Sequence, residues 1–194
     1  MTDLAPVLPR FRHRGLLLRR PVVLAGIALL TLLAMLTWLR LMGRPWVCAC
    51  GTVALWDGDP HSPGASQQFA DWYSLLHVAL GMGLYAALSR ARPRWPLSWT
   101  LLLAVGSSAI WEMVENTSFV VALFDGAAGA PSYSGDSVLN AFGDTVFVTL
   151  GFLFARSVPL WGSLLALAAI EASIALSIQD GFVLGTLRVL GISV

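Results

Sequence analysis

The stretch LSWTLLLAVGSSAIWEMVENTSFVVAL, residues 97–123, decides the fold of this chain. It is long and apolar enough to cross a hydrocarbon core of about 30 Å as a helix. It nevertheless carries two of the three glutamates of the chain, Glu112 and Glu115. A carboxylate inside a bilayer costs about 2.5 kcal/mol or more unless it is paired, hydrated or neutralised. The stretch therefore predicts a membrane-spanning helix that carries a functional site.

The composition of the whole chain agrees with a membrane location. Hydrophobic residues make up 57% of the 194 residues and charged residues 12%, and the mean hydropathy is +0.74. These values lie outside the range of an ordinary soluble domain. The net charge of +1 gives no indication of a nucleic-acid partner. We therefore expect membrane lipids, and no nucleic acid, among the partners of this protein.

Five segments have the length that a transmembrane helix needs, which predicts an all-α, polytopic membrane helix bundle. The predicted spans are residues 22–39, 72–89, 97–123, 137–155 and 158–178. The sequence contains no internal repeat and no linker long enough to divide it. We therefore expect a single helical domain over residues 22–194, preceded by a basic cytoplasmic tail over residues 1–21.

The positions of the arginines indicate the orientation of these helices. Nine arginines fall before the first span, between the second and third spans, or between the fourth and fifth spans, whereas Arg40 and Arg44 fall on the other side. Because positively charged loops remain in the cytoplasm, the N-terminus is predicted to be cytoplasmic. The C-terminus and the loops over residues 43–70 and 125–136 are then external. The nine are Arg10, Arg12, Arg14, Arg19, Arg20, Arg90, Arg92, Arg94 and Arg156.

The helical rise predicts that polar residues of three helices share one depth in the membrane. Counted from the external ends of their spans, His77, Asn140 and Asp144 lie about 9, 6 and 12 Å deep. Counted from the cytoplasmic end of the third span, Glu112 and Glu115 lie about 22 and 27 Å across. All five residues therefore reach the outer half of the membrane. A polar pocket that opens to the external side is the simplest cause of this agreement.

The spacing within each helix supports the same pocket, because residues three and four positions apart share a helical face. Small residues that accompany these faces allow the helices to approach closely. Each face is therefore able to point toward the others. The three faces are Glu112, Glu115 and Asn116; Asp136, Asn140 and Asp144; and Ser74, His77 and Gly81.

Three sequence blocks resemble a family of uncharacterised inner-membrane proteins of alphaproteobacteria. They are DWYSLLH at residues 71–77, WEMVEN at 111–116, and YSGDSVLN at 133–140 followed by Asp144; the Cys-x-Cys block at 46–51 fits the same family. The resemblance implies a bacterial inner-membrane protein but supplies no activity. A more distant resemblance is to the VanZ-like membrane proteins. In that pattern His77, Glu112 and the Asp136–Asn140 pair take the places of a His, a Glu and an Asp-x-x-x-Asn pair.

One interpretation of the polar residues is a hydrolase or transferase that acts on a lipid-linked or envelope substrate. His77 or Glu112 would be the general base, and Asp136 or Asp144 would orient it. Neighbouring carboxylates at low dielectric provide an acid and a base at neutral pH, because each raises the pKa of the other. The neighbouring residues predicted to bind the substrate are Asp71, Tyr73, Glu115, Asn116, Tyr133, Ser137 and Asn140.

A second interpretation is a divalent metal site formed by His77, Glu112, Glu115 and Asp144, since one imidazole with several carboxylates suits zinc, manganese or iron. A third is an interhelical hydrogen-bond network that only fixes the packing. In that case the protein would be a non-catalytic accessory subunit or assembly factor of a membrane complex. The sequence leaves all three interpretations open.

Cys48 and Cys50 lie in the first predicted external loop, and disulfides persist outside the cytoplasm. A bond within Cys-x-Cys is geometrically strained. The pair is predicted to be a structural or redox disulfide. Because of the strain, metal binding together with His61, or a bridge to another chain, are the alternatives.

Overall fold

The computed structural model describes residues 14–125 and 132–192, with side chains from residue 21 onward. Within these ranges the chain forms seven helices and no strand, so the predicted all-α class is confirmed. The helices are α1 (Arg14–Leu41), α2 (Ser74–Ala91), α3 (Leu97–Glu115), α4 (Ser118–Asp125), α5 (Val138–Ser157), α6 (Leu160–Ile178) and α7 (Phe182–Val189). Residues 1–13 of the predicted tail and residues 126–131 of the second predicted loop lie outside the described residues.

Four of these helices are long and apolar enough to cross a membrane: α1 from Pro21 onward, α3, α5 and α6. The second predicted span corresponds to α2, which is not among the four. Its 18 residues include Ser74, His77 and Arg90, which lower its mean hydropathy. The described helices are thus consistent with a membrane protein, and whether α2 also crosses depends on what covers its polar face.

The prediction of one continuous helix over residues 97–123 is wrong. α3 ends at Glu115 and α4 begins at Ser118. The break occurs because Asn116 makes bonds away from the helix: its side chain pairs with Asp136, and its carbonyl oxygen accepts a hydrogen bond from Arg44. A helix continuing through this position would need that carbonyl for its own next turn.

The helices α2 and α5 are in close contact, whereas the cluster of buried hydrophobic side chains lies between α1, α3 and α5. A Cβ atom at Gly81 would overlap the carbonyl oxygen of Val148, and one at Gly151 would overlap that of Val78. The two helices run in the same direction, because Ser74 meets Asp144 near their beginnings and Val78 meets Gly151 further along. α3 runs in the opposite direction beside α5, and α1 packs against α3.

One end of the bundle, here called the site end, is where α1, α3 and α6 end and α2 and α5 begin. Arg44, just after α1, donates to the carbonyl oxygens of Asn116 and Ser134 and so ties three segments together. Gly135 adopts a φ of +88°, and a Cβ there would overlap the Arg44 guanidinium. This position therefore requires glycine.

α6 and α7 are joined at the same end by Glu171 of α6. Its two carboxylate oxygens accept hydrogen bonds of 3.1 and 2.8 Å from the backbone N–H groups of Phe182 and Val183. These groups are among the N–H groups at the start of α7 that have no partner inside the helix. The third glutamate of the chain thus caps a short helix and takes no part in the cluster around His77.

Candidate functional site

Three side chains from three helices meet at the site end. Nδ1 of His77 on α2 lies 3.5 Å from Oε1 of Glu112 on α3, and Nε2 of His77 lies 3.7 Å from Oδ2 of Asp144 on α5. The other carboxylate oxygen of Asp144 accepts a 2.6 Å hydrogen bond from Oγ of Ser74. The structure therefore brings together three of the five residues that the depth calculation places in the outer half of the membrane.

This group is incompletely hydrogen bonded. Glu112 is fully buried, and neither of its carboxylate oxygens has a hydrogen-bond partner among the described residues. The same is true of Nδ1 of His77 within those ranges. Buried polar groups are nearly always paired, and an unpaired buried carboxylate is costly. The arrangement is thus suited to an additional proton, ion or substrate group between His77 and Glu112.

Glu112 also belongs to a second cluster, with Glu115 and Asp136. In each cluster one potential ligand atom per residue lies within 4.8 Å of those of the other two residues. Ligand atoms at about 2.1 Å from a metal ion lie roughly 3 to 4 Å from one another. A contraction of about 1 Å would therefore place either cluster in coordination geometry, with Glu112 common to both.

Asp136 is held in place by two side chains. It accepts hydrogen bonds of 2.6 Å from Nδ2 of Asn116 and 3.0 Å from the hydroxyl of Tyr133, and its own N–H donates to Oδ1 of Asn116 at 2.8 Å. Burial raises the pKa of Asp136 to about 6, although these two donors act in the opposite direction. Burial and the carboxylate of Asp136 raise the pKa of Tyr133, so its hydroxyl keeps its proton. Asn116 and Tyr133 therefore position a carboxylate.

Three other predicted substrate-binding residues hold the loop that precedes α2. Asp71 accepts hydrogen bonds from the N–H groups of Ser66 and Tyr73, and burial raises its pKa against the effect of these donors. Ser137 and Asn140 donate to backbone carbonyls of that loop, at 2.8 and 2.9 Å. Most of their hydrogen-bonding capacity is thus used by the fold.

A cavity of about 620 Å³ opens beside the cluster. His77, Glu115, Asp136, Asn140 and Asp144 line it, whereas Glu112 lies behind them, out of contact with the cavity. A molecule in the cavity would therefore meet the imidazole and three carboxylates directly. Glu112 would act on it only through a shared ion or through His77.

Three residues of the site end were missed in the sequence interpretation: Arg44, Asp180 and Arg188. Asp180 accepts a 3.0 Å hydrogen bond from the hydroxyl of Tyr73, and Arg188 on α7 lies 3.4 Å from it. Both residues line the cavity. Charged residues in an otherwise apolar C-terminal segment were the available signal, as was the position of Arg44 against the positive-inside pattern.

Cys48 and Cys50 are joined to each other by a disulfide. Within the described residues, His61 and this pair do not form one of the clusters with metal-ligand spacing. Gln68, whose carbonyl oxygen binds Asn140, donates from its side chain to the sulfur of Cys50 at 3.6 Å. The disulfide therefore belongs to the loop packed over the start of α2 and α5.

Comparison with known proteins gives a family for the chain. Residues 39–192 match the family described as Protein of unknown function (DUF2585). A UPF0314 protein of Paracoccus denitrificans is 38% identical over 153 residues, which cover 79% of this chain and 79% of that protein. Proteins of the same description from Sphingopyxis alaskensis and Agrobacterium fabrum are 38% identical over 164 residues and 40% identical over 136 residues. These two alignments cover 84% and 70% of this chain, and 86% and 69% of the relatives. No solved structure matches the chain.

Proposed function

The chain belongs to the family described as Protein of unknown function (DUF2585), and we propose that this member is a metal-dependent hydrolase or transferase of the bacterial inner membrane. A divalent metal ion would be bound between His77, Glu112 and Asp144. The substrate would be a lipid-linked or envelope molecule that enters the cavity beside the cluster. Relatives from alphaproteobacteria and four sufficiently apolar helices support the location.

The observation that carries this proposal is the fully buried Glu112, which faces Nδ1 of His77 at 3.5 Å with neither carboxylate oxygen bonded within the described residues. A network that served only to join helices would use these atoms for hydrogen bonds. A metal ion would satisfy them, because imidazole and carboxylate are the usual protein ligands of zinc, manganese and iron.

The surroundings of the cluster support hydrolysis or group transfer. A bound divalent ion such as zinc would lower the pKa of a coordinated water toward neutrality and so supply a nucleophile. Glu115 lines the cavity and has an unbonded buried oxygen among the described residues, so it would be the proton acceptor. The resemblance to VanZ-like proteins involves the same residues, His77, Glu112 and Asp136, but it implies no activity.

The alternative is a non-catalytic accessory subunit or assembly factor whose polar residues form an interhelical network. The bonds from Asn116 to Asp136 and from Ser74 to Asp144 favour this function. They account for Asp136 and for one oxygen of Asp144, but among the described residues they leave Nδ1 of His77 and both carboxylate oxygens of Glu112 without a hydrogen-bond partner. Metal content separates the two functions.

The test is to measure the metal content of the protein purified in a neutral detergent without chelators, using inductively coupled plasma mass spectrometry. We expect at least one equivalent of zinc, manganese or iron in the wild type. Glu112→Gln and His77→Gln should lose it while remaining folded, because an amide binds cations weakly. Glu171→Gln is the matched control, since this carboxylate caps α7 outside the cluster, and it should keep the metal.

Metal-free Glu112→Gln should also be at least as stable as the metal-free wild type, because it removes an unpaired buried carboxylate. Full metal content in folded Glu112→Gln would contradict the proposal. So would a wild-type protein that takes up none of the three metals on equilibration. Either result would leave the interhelical network as the better account.

A further inference from the structure

Arg188 on α7 is another buried, incompletely hydrogen-bonded residue that lines the cavity. Its side chain is only 6% exposed. Nε and Nη1 have no hydrogen-bond partner in the described part of the chain. A guanidinium always carries its charge and presents its N–H groups as a rigid fork. Leaving two of these donors unbonded in a buried position is costly, which indicates that an acceptor binds there.

Asp180 is the carboxylate nearest to Arg188. It balances the charge of the guanidinium but accepts no hydrogen bond from Nε or Nη1. Oδ1 of Asp180 lies 3.4 Å from Nη1, outside good hydrogen-bond geometry, and already accepts a 2.9 Å bond from the N–H of Gly181. Oδ2 accepts from the hydroxyl of Tyr73. Asp180 is therefore held by other groups, and the unbonded Nε and Nη1 donors of Arg188 remain available to an anion.

The cavity next to Arg188 has a mixed lining. Leu76, Leu80, Trp111, Phe124, Phe182 and Leu190 supply apolar walls to the same space that holds the carboxylates and the His77 imidazole. Its volume of about 620 Å³ is in the range of small-molecule sites. A ligand that fits this lining has an apolar chain and an anionic head group.

We propose that Arg188 binds the phosphate group of an amphiphile through its unbonded N–H donors, so the substrate class of this site is a phosphate-bearing lipid. The charged guanidinium donates strong hydrogen bonds to phosphate oxygens, whereas the carboxylates of the site would repel an anion in the absence of Arg188. The identification as substrate rests on the proposed function; the binding itself does not.

The experiment is native mass spectrometry of the purified protein with dihexanoyl phosphatidic acid, with dihexanoylglycerol as the matched neutral amphiphile and with inorganic phosphate as the free anion. We expect phosphatidic acid to bind more tightly than either of the other two. Arg188→Gln should weaken its binding by about tenfold or more, as expected for charge-assisted hydrogen bonds. Arg156→Gln, which removes an exposed arginine at the end of α5, should have no effect.

Asp180→Asn provides a second variant that keeps Arg188 and removes its competing carboxylate. It should bind phosphatidic acid at least as tightly as the wild type, whereas a purely structural Arg188–Asp180 pair predicts equal loss in both variants. If Arg188→Gln does not fold, the Asp180→Asn result decides. Unchanged binding by folded Arg188→Gln, weaker binding by Asp180→Asn, or equal binding of dihexanoylglycerol would each overturn the proposal. Preferential binding of inorganic phosphate would replace the lipid by a soluble anion and would also overturn it.

Metal analysis of the same samples separates this result from the proposed function. Arg188→Gln should keep the metal content of the wild type, because Arg188 is not a ligand. Glu112→Gln should still show the Arg188-dependent preference for phosphatidic acid over dihexanoylglycerol. A protein without metal that retains this preference would refute the metal-dependent reaction while leaving the phosphate site intact.

Discussion

The buried carboxylates of the site differ in how fully their oxygens are hydrogen bonded. Asp136 accepts from Asn116 and Tyr133, and Asp144 accepts from Ser74. Glu112 has no donor within the described residues. Asp136 and Asp144 are thus oriented by their neighbours before any ligand binds, which is the condition for a precise metal site. Glu112 is the residue that gains its first partner when a ligand binds.

The reciprocal pair between Asn116 and Asp136 predicts a large effect of Asn116→Asp. This substitution keeps the oxygen of Asn116 that accepts from the N–H of Asp136. It replaces the Nδ2 donor by a second carboxylate oxygen, at a position 2.6 Å from Oδ2 of Asp136. We expect a loss of stability on the order of 3 kcal/mol at pH 7, measured by thermal unfolding in detergent. The deficit should shrink near pH 5, because the introduced carboxyl regains a donor when it is protonated.

Gln179→Glu is the control for this measurement. It makes the same amide-to-acid change at an exposed position after α6 and should leave the melting temperature nearly unchanged. If Asn116→Asp melts like the wild type at pH 7, the pair with Asp136 contributes little, and the orientation of that carboxylate has another source.

The residues that form the His77 cluster could be predicted from the sequence, whereas the hydrogen bonds made by the neighbouring residues could not. The depth of a residue follows from the helical rise, and the cost of burying Glu112 singles it out. The roles of Ser137 and Asn140 depend on carbonyls of Gln67 and Gln68, some 70 residues earlier in the chain. Such bonds are set by the loop conformation, on which helical periodicity carries no information.

At the scale of helices, two glycines of α2 offer a direct test of the α2–α5 contact. A Cβ at Gly81 would overlap the carbonyl oxygen of Val148 and lie 2.8 Å from the backbone nitrogen of Phe152, whereas at Gly83 nothing lies within 4 Å. Gly81→Ala should destabilise the protein by about 1 to 3 kcal/mol, as overpacking does. Gly83→Ala should be neutral or stabilising by up to about 1 kcal/mol, because alanine favours the helix.

Thermal unfolding of both variants checks this prediction, and metal content adds a readout of the site. Gly81 lies one turn after His77 on the same face, so separating α2 from α5 should also lengthen the distance from His77 to Asp144. We expect Gly81→Ala to lose metal while Gly83→Ala keeps it. Equal melting temperatures for the two variants would mean that the helices are not in close contact at Gly81.

The element that the sequence predicted least well is the third span. Apolar residues continue from α3 through α4, so hydropathy alone gives one helix over residues 97–123. The chain breaks at Asn116 because tertiary bonds to Asp136 and Arg44 outweigh local preference. Polar residues at the end of a predicted span thus carried information about both the site and the helix end.

At the scale of the whole molecule, the position of α2 determines the topology. Its hydropathy falls short of the four apolar helices, yet it packs along α5 in the same direction and buries Ser74 and His77 against it. Its polar face is therefore covered by protein, and α2 extends through the same thickness as α5. We expect five crossings on this basis, with the site end external because nine arginines favour the other side.

Reporter fusions after Arg92 and after Ser132 test this topology. Fluorescent protein fused after Arg92 should fluoresce and alkaline phosphatase there should be inactive, because α2 returns the chain to the cytoplasm; after Ser132 the pattern should be reversed. Because α1 and α3 both end at the site end, the described bundle requires α2 to cross between them. Active phosphatase after Arg92 would therefore mean that the whole bundle is inserted in the opposite orientation, with the site end toward the cytoplasm, and a phosphate-bearing lipid would then have to enter the cavity from the inner leaflet.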